Sequence, residues 1–154
     1  MQELVRKNFK PEEFFYSDTA KRLGIRNYPA KEQEAEIKAN LISTADMMQE
    51  VRDLLGAPIT INSAYRCKKL NRAVGSSDRS QHLLGLACDF TAKGRGSPKD
   101  VMMFLKEKGF VVDQCLCEGS WLHISRLREG RNRNQYAYYL FDNKLNKRVF
   151  TLVG

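Results

Sequence analysis

The stretch Ser80-Gln81-His82-Leu83-Leu84-Gly85-Leu86-Ala87-Cys88-Asp89 constrains this chain more than any other. It holds His82, one of only two histidines, and Asp89 seven residues later. If the pair shares one chemical site, the segment cannot be a regular element. A helix would separate the two along its axis by about 10.5 Å, at ~1.5 Å per residue. A strand would separate them by about 23 Å, at ~3.3 Å per residue. One zinc ion bonds its ligands at about 2 Å. The chain must therefore fold back between them, and Gly85 is the residue whose backbone permits it. The second histidine, His123, lies in Trp121-Leu122-His123-Ile124-Ser125. His82, Asp89 and His123 together offer two nitrogens and one carboxylate. That is a three-ligand zinc set, one ion per chain, with a fourth position left for water.

The flanking pattern predicts the frame that would carry such a site. Pro11-Glu12-Glu13 suits a first helical turn, and Ser17-Asp18-Thr19 a helix start that runs to Gly24. Ile37, Leu41, Met48, Val51 and Leu55 recur at helical spacing, so residues 31 to 55 read as an amphipathic helix stopped by Gly56 and Pro58. Residues 59–66 alternate and are β-branched, hence a strand. Residues 68–74 read as a short helix, and 86–90 as a strand carrying Asp89. Ser97-Pro98-Lys99-Asp100 is a strong helix start, and Gly109 closes that helix. Strands follow at 111–118 and 121–125, and a hairpin joins 136–141 to 148–152. Helices first, then a largely antiparallel sheet with one inserted helix, make an α+β chain. At 154 residues it is expected to be one domain, 1–154.

Composition narrows the function classes. No apolar run reaches the ~18 residues of a membrane span. The N-terminus lacks a hydrophobic signal-peptide core, so synthesis in the cytoplasm is the expectation. The four cysteines form no CxxC, and they read as reduced, mostly buried thiols. Cys88 alternates to the face opposite Asp89 and reads as core, which disfavours a Cys88–His82 thiol peptidase. The net charge is +8, and residues 126–148 hold seven basic against two acidic side chains. Such a surface, with Arg126, Arg128, Arg131 and Arg133, suits an anionic polymer: a bacterial cell wall, lipid headgroups or nucleic acid. A solvated basic surface with no partner is the plain alternative. Nucleic acid rests on charge alone and is the weaker partner.

Ser80-x-His82-x-x-Gly85-x-Ala87-x-Asp89, with Ser63-Ala64-Tyr65-Arg66 before it and Trp121-Leu122-His123-Ile124-Ser125 after it, resembles the M15 zinc peptidases. These are the D-alanyl-D-alanine carboxypeptidases and phage peptidoglycan peptidases. Asn8-Phe9, Ser17 to Ala20, Leu23-Gly24-Ile25 and Leu70 to Gly75 resemble the phage-type branch. The resemblance runs from about residue 8 to 125. It implies a hedgehog/D-Ala-D-Ala-peptidase fold, an antiparallel sheet flanked by helices with a zinc cleft. It implies His82, Asp89 and His123 as zinc ligands and Arg66 as a group that holds or polarises substrate. Ser80 and Gln81 match supporting, substrate-side positions, and Trp121 reads as cleft wall. The implied substrate is the peptidoglycan stem peptide, and the implied setting is phage lysis or a phage particle acting on the cell wall. A non-enzymatic zinc-binding interaction module is the competing class.

Hydrolysis needs a carboxylate to take a proton from water and give it to the leaving amine. Glu118 is the acid nearest before His123. Family patterns place that acid three or six residues before the histidine; here position 120 is serine and Glu118 is five before. On one uninterrupted strand an odd offset puts the two on opposite faces. A turn or bulge at Gly119-Ser120 is therefore required.

Overall fold

In the computed structural model, residues 2–154 are described; they form four α-helices and a six-stranded sheet. Helices α1 (Asp18–Leu23), α2 (Glu34–Leu55), α3 (Lys68–Ala73) and α4 (Pro98–Glu107) alternate with strands and short 3-10 turns. The strands are β1 (Thr60–Ser63), β2 (Ala87–Thr91), β3 (Gln114–Cys117), β4 (Leu122–Ser125), β5 (Gln135–Asp142) and β6 (Lys147–Leu152). Their order across the sheet is β1-β2-β4-β3-β5-β6. Every neighbouring pair is antiparallel except β3 and β5, which run parallel.

The helix signals act as the sequence predicts. Ser17 and Ser97 accept backbone N–H bonds as N-caps, and Asp100 closes a capping box on Ser97. Gly24 and Gly56 end α1 and α2 in left-handed conformations. Along α2, Ile37, Leu41, Ala45, Met48, Val51 and Leu55 are buried at helical spacing.

Period-two alternation divides the sheet into two unlike faces. Cys88, Phe90, Cys115, Cys117, Leu122, Ile124 and Tyr136 point to the helices and join Leu41, Met48, Val51, Val101 and Leu105 in the core. Asp89, Leu116 and His123 stand on the other face. The four cysteines are free thiols, three of them buried and Cys67 half-buried. Among the described residues, no helix is long and apolar enough to cross a membrane.

Two strands are shorter than the alternation predicts, for a reason that bears on the site. The first, expected over 59–66, ends at Ser63 because Tyr65 and Arg66 give their N–H groups to Phe14 and His82 instead of to β2. The second, expected over 111–118, starts at Gln114 because Val112 donates to the Asn134 side chain. Lys93–Arg95 form a 3-10 turn whose Arg95 stacks over Phe104.

Candidate metal centre and its cleft

The fold-back that the His82–Asp89 spacing demands is a 3-10 turn, Gln81–Leu84. Ser80 caps it, its hydroxyl oxygen accepting the His82 N–H at 3.2 Å. Gly85 reverses the chain at φ 74°. A side chain there would also collide with α2, since a Cβ would lie 3.0 Å from Leu41 Cγ and 3.2 Å from the Ile37 carbonyl. From α2, Asn40 donates to the Leu84 carbonyl at 2.8 Å and Thr44 to the Gly85 carbonyl at 2.6 Å. Those two buried polar residues interrupt an apolar helix face, and holding this turn is what they do there.

Beyond the turn, β2 presents Asp89 directly opposite His123 on β4. A bulge at Asn62 shifts the β1 register, so that Ser63 rather than Asn62 lies opposite Asp89. The result brings His82, Asp89 and His123 together, with one possible ligand atom from each within 4.8 Å of the others. His82 Nε2 and His123 Nδ1 each lie 3.1 Å from the same oxygen, Asp89 Oδ1. Zinc bonding its donors at about 2.1 Å holds them about 3.4 Å apart, which is this scale.

The proton count tests whether these residues fit a cation. Burial pushes the His82 imidazole below its ordinary pKa, outweighing the nearby Asp89 charge, so the ring is neutral near pH 7. A neutral ring has one N–H. Nδ1 gives it to the Ala64 carbonyl at 2.6 Å. Nε2 therefore turns a lone pair toward a carboxylate oxygen, a repulsive contact unless a cation lies between. Burial alone would raise the Asp89 carboxyl. Hydrogen bonding from His123, the largest opposing cause, holds that group below the usual carboxylate range, so it is ionised. The donor set fits a zinc ion.

A cleft of about 980 Å³ opens over this cluster. Glu118 lines it, on the same side as His123, and the odd offset is resolved by a hairpin. Leu116 pairs with His123 and Cys117 with Leu122, and Glu118 donates its N–H to the Trp121 carbonyl at 3.0 Å. Glu118 and Trp121 thus sit opposite each other across the two-residue turn Gly119-Ser120, two steps from Leu116 and His123. Trp121, about one-third exposed, stands at the cleft rim.

Arg66 also lines the cleft, but much of it is committed inward. Its Nε donates to Asn71 Oδ1 at 3.0 Å, and Nη1 reaches Ser63 Oγ at 3.4 Å and Asp89 Oδ2 at 3.9 Å. Nη2 carries none of these contacts. Ser80 and Gln81 line the cleft as well, with Ser80 engaged as the cap and Gln81 donating to Asp113 Oδ2 at 2.9 Å.

Sequence reasoning missed the part of the cleft that comes from residues after 125. Arg133, Tyr139 and Arg148 line it. Arg133 grips the buried Asp113 with Nε at 3.0 Å, Nη2 at 2.6 Å and its backbone N–H at 3.0 Å. Four of the seven basic side chains of 126–148 are in ion pairs: Arg126 with Glu50, Arg128 with Glu129, Arg133 with Asp113 and Arg148 with Glu118. The expected basic surface is thus partly neutralised within the chain itself.

Two imidazoles and one carboxylate converging beneath an open cleft, on a mixed α+β frame, define a candidate mononuclear metal site. The chain belongs to the peptidase M15 family, whose sequence pattern it matches over residues 7–125. Members of that family are typically metal-dependent peptidases. No curated protein matches the chain.

Proposed function

We propose that the chain, as one domain over 1–154, is a zinc peptidase that hydrolyses peptide bonds in bacterial peptidoglycan stem peptides. The observation that carries the reading is the convergence of His82, Asp89 and His123, with one possible ligand atom from each within 4.8 Å of the others and His82 Nδ1 engaged by the Ala64 carbonyl. Its hedgehog-type cleft would hold one zinc ion on those three side chains. Bound there, zinc supplies Lewis acidity, acidifying a water and polarising a carbonyl. Glu118 would serve as the proton carrier, accepting a proton from water and handing it to the departing amine. Arg66, through the Nη2 that makes no hydrogen bond or ion pair among the described residues, and Trp121 position the peptide across the cleft. Ser80 and Gln81 keep the turn bearing His82 in place while facing the substrate. Family membership and the cationic cleft wall support a peptide bearing carboxylates as substrate. We place the enzyme at the cell wall, in phage lysis or carried by a phage particle, with Arg131, Lys144 and Lys147, which make no ion pair among the described residues, facing the anionic wall.

Digestion of purified sacculi tests this, with released muropeptides read by mass spectrometry. New peptide termini that disappear on chelation and return with zinc are expected. Stoichiometric zinc with intact sacculi and intact defined stem peptides would replace this reading with the non-enzymatic zinc module.

A further inference from the structure

Beyond the matched family region lies the β5–β6 hairpin, and its cleft-facing side chains are unlike those around the metal cluster. Parallel pairing puts Leu116 beside Ala137 and Cys117 beside Tyr138, so Glu118 and Tyr139 come next, side by side. Tyr139 pairs with Phe150 on β6, their rings edge to face at 5.7 Å. Arg148, two residues before Phe150, lays its guanidinium over the Tyr139 ring at 4.4 Å. Stacking fixes the plane of the guanidinium and leaves its N–H edge free to bond. Among the described residues that edge makes one contact, Nη2 to Glu118 Oε2 at 3.4 Å, the outer limit of a hydrogen bond.

We infer that Arg148, stacked on Tyr139, is a recognition site for a substrate carboxylate, and that this carboxylate displaces Glu118 from Arg148. The inference rests on the peptidase reading for its choice of ligand. Three observations carry it. Arg148 is about half-exposed (56%) and turned to the cleft, so an incoming group can reach it. Its present partner is held at 3.4 Å, whereas a carboxylate matched to the fork bonds bidentately at about 2.8 Å. The other cleft arginines are less suited. Arg133 has both ends of its fork on Asp113, and Arg66 is turned toward Asn71 and Asp89. Arg79, which also lines the cleft, has no stacking partner among the described residues to fix its plane. Exchange has a chemical consequence: Glu118 is freed to face the scissile bond only when a carboxylate-bearing peptide is in place.

Calorimetric titration of the zinc-loaded protein with a stem pentapeptide, and with the same peptide carrying amides in place of carboxylates, tests this. The wild type should prefer the carboxylate form about tenfold. Arg148→Gln should lose that preference by weakening the carboxylate peptide alone, with zinc content and melting temperature unchanged. Tyr139→Leu, which leaves the charge but removes its platform, should lose part of it. Lys144→Gln, one charge fewer on the same hairpin but outside the cleft, should keep it. Glu118→Gln removes the competitor, so it should bind the carboxylate peptide about two- to fivefold more tightly and the amide no differently. Equal wild-type affinity for the two peptides, or an Arg148→Gln loss that is the same for both, overturns the inference. If stem peptides are cleaved but bound without preference, the subsite fails and the peptidase reading stands. If the preference holds with no turnover, the reverse is true; no binding of either peptide overturns both.

Discussion

The two walls of the cleft are held in place by different means. On the wall from 80–123, each metal-facing group is fixed by backbone. His82 leans on the Ala64 carbonyl, its turn is tied to α2 through two carbonyls, and Asp89 and His123 are paired strand residues. On the wall from 133–150, side chains hold side chains. Arg133 grips Asp113, and Arg148 lies on Tyr139 and touches Glu118. Both arginines are about half-exposed. Backbone fixation keeps atoms within the tenths of an ångström a metal requires. Contacts between exposed side chains exchange partners at little cost, which suits recognition. The first wall is therefore built for chemistry and the second for choosing what reaches it.

The largest effect that would break this contrast is a loss of metal caused by a change in the second wall. His82→Ala should abolish zinc binding, and with it turnover, by metal analysis of the purified protein. Arg148→Gln should leave zinc stoichiometric. A hairpin variant that loses its metal would show that the two walls are not separable.

Next comes Glu118, the residue where the walls touch. Glu118→Gln keeps shape and removes the proton acceptor, so turnover should drop by at least about a hundredfold with zinc retained. Near-wild-type rates on sacculi would move the base elsewhere, with Asp113 the next acid to examine.

Arg66 sharpens the comparison because it contacts the first wall through Asp89 and yet reaches the cleft. Arg66→Lys keeps the charge and loses the fork, and should lower turnover about tenfold with melting temperature unchanged. A fall in stability that tracks activity would instead identify the Asn71 and Asp89 contacts as its purpose.

The smallest expected effect lies at Asp113, which joins the walls by bonding Gln81 on one side and Arg133 on the other. Its bonds from Arg133 hold its carboxyl below the ordinary value, more than offsetting burial. A depressed folded pKa stabilises fully above the unfolded value of about 4, and that stability is lost as pH falls through the folded value. Asp113→Asn should therefore cost about 1–3 kcal/mol at pH 7 in chemical denaturation, Arg133 being half in water. It should also flatten the acid limb of the stability profile below about pH 4. An unchanged acid limb would assign that limb to other carboxylates.

Much of the first wall was legible in the sequence and little of the second. His82, Gly85, Asp89 and His123 announce themselves because their chemistry and spacing demand a fold-back, and the structure has one. The helix caps and glycine stops are local and read directly. The ends of the strands at Ser63 and Gln114 were not legible, because there the backbone leaves the ladder for partners distant in sequence. Asn40 and Thr44 interrupt an apolar stripe, a signal that could have marked them as ties to a turn. Arg148 and Tyr139 gave no such signal. They reach the cleft only because β5 runs parallel to β3, a register that no local pattern encodes.

The hairpin turn at Gly119-Ser120 has one more implication, for how such sites can vary. Strand pairing matches residues by position counted outward from the turn, not by their separation along the chain. Glu118 and His123 share a face because one lies first and the other third from the turn on their respective strands. A longer or shorter loop changes the residues between them but not this relation. The number of residues between acid and histidine is thus free to drift while the site stays whole. A search that fixes that number would overlook working sites, whereas one that counts from the turn would find them.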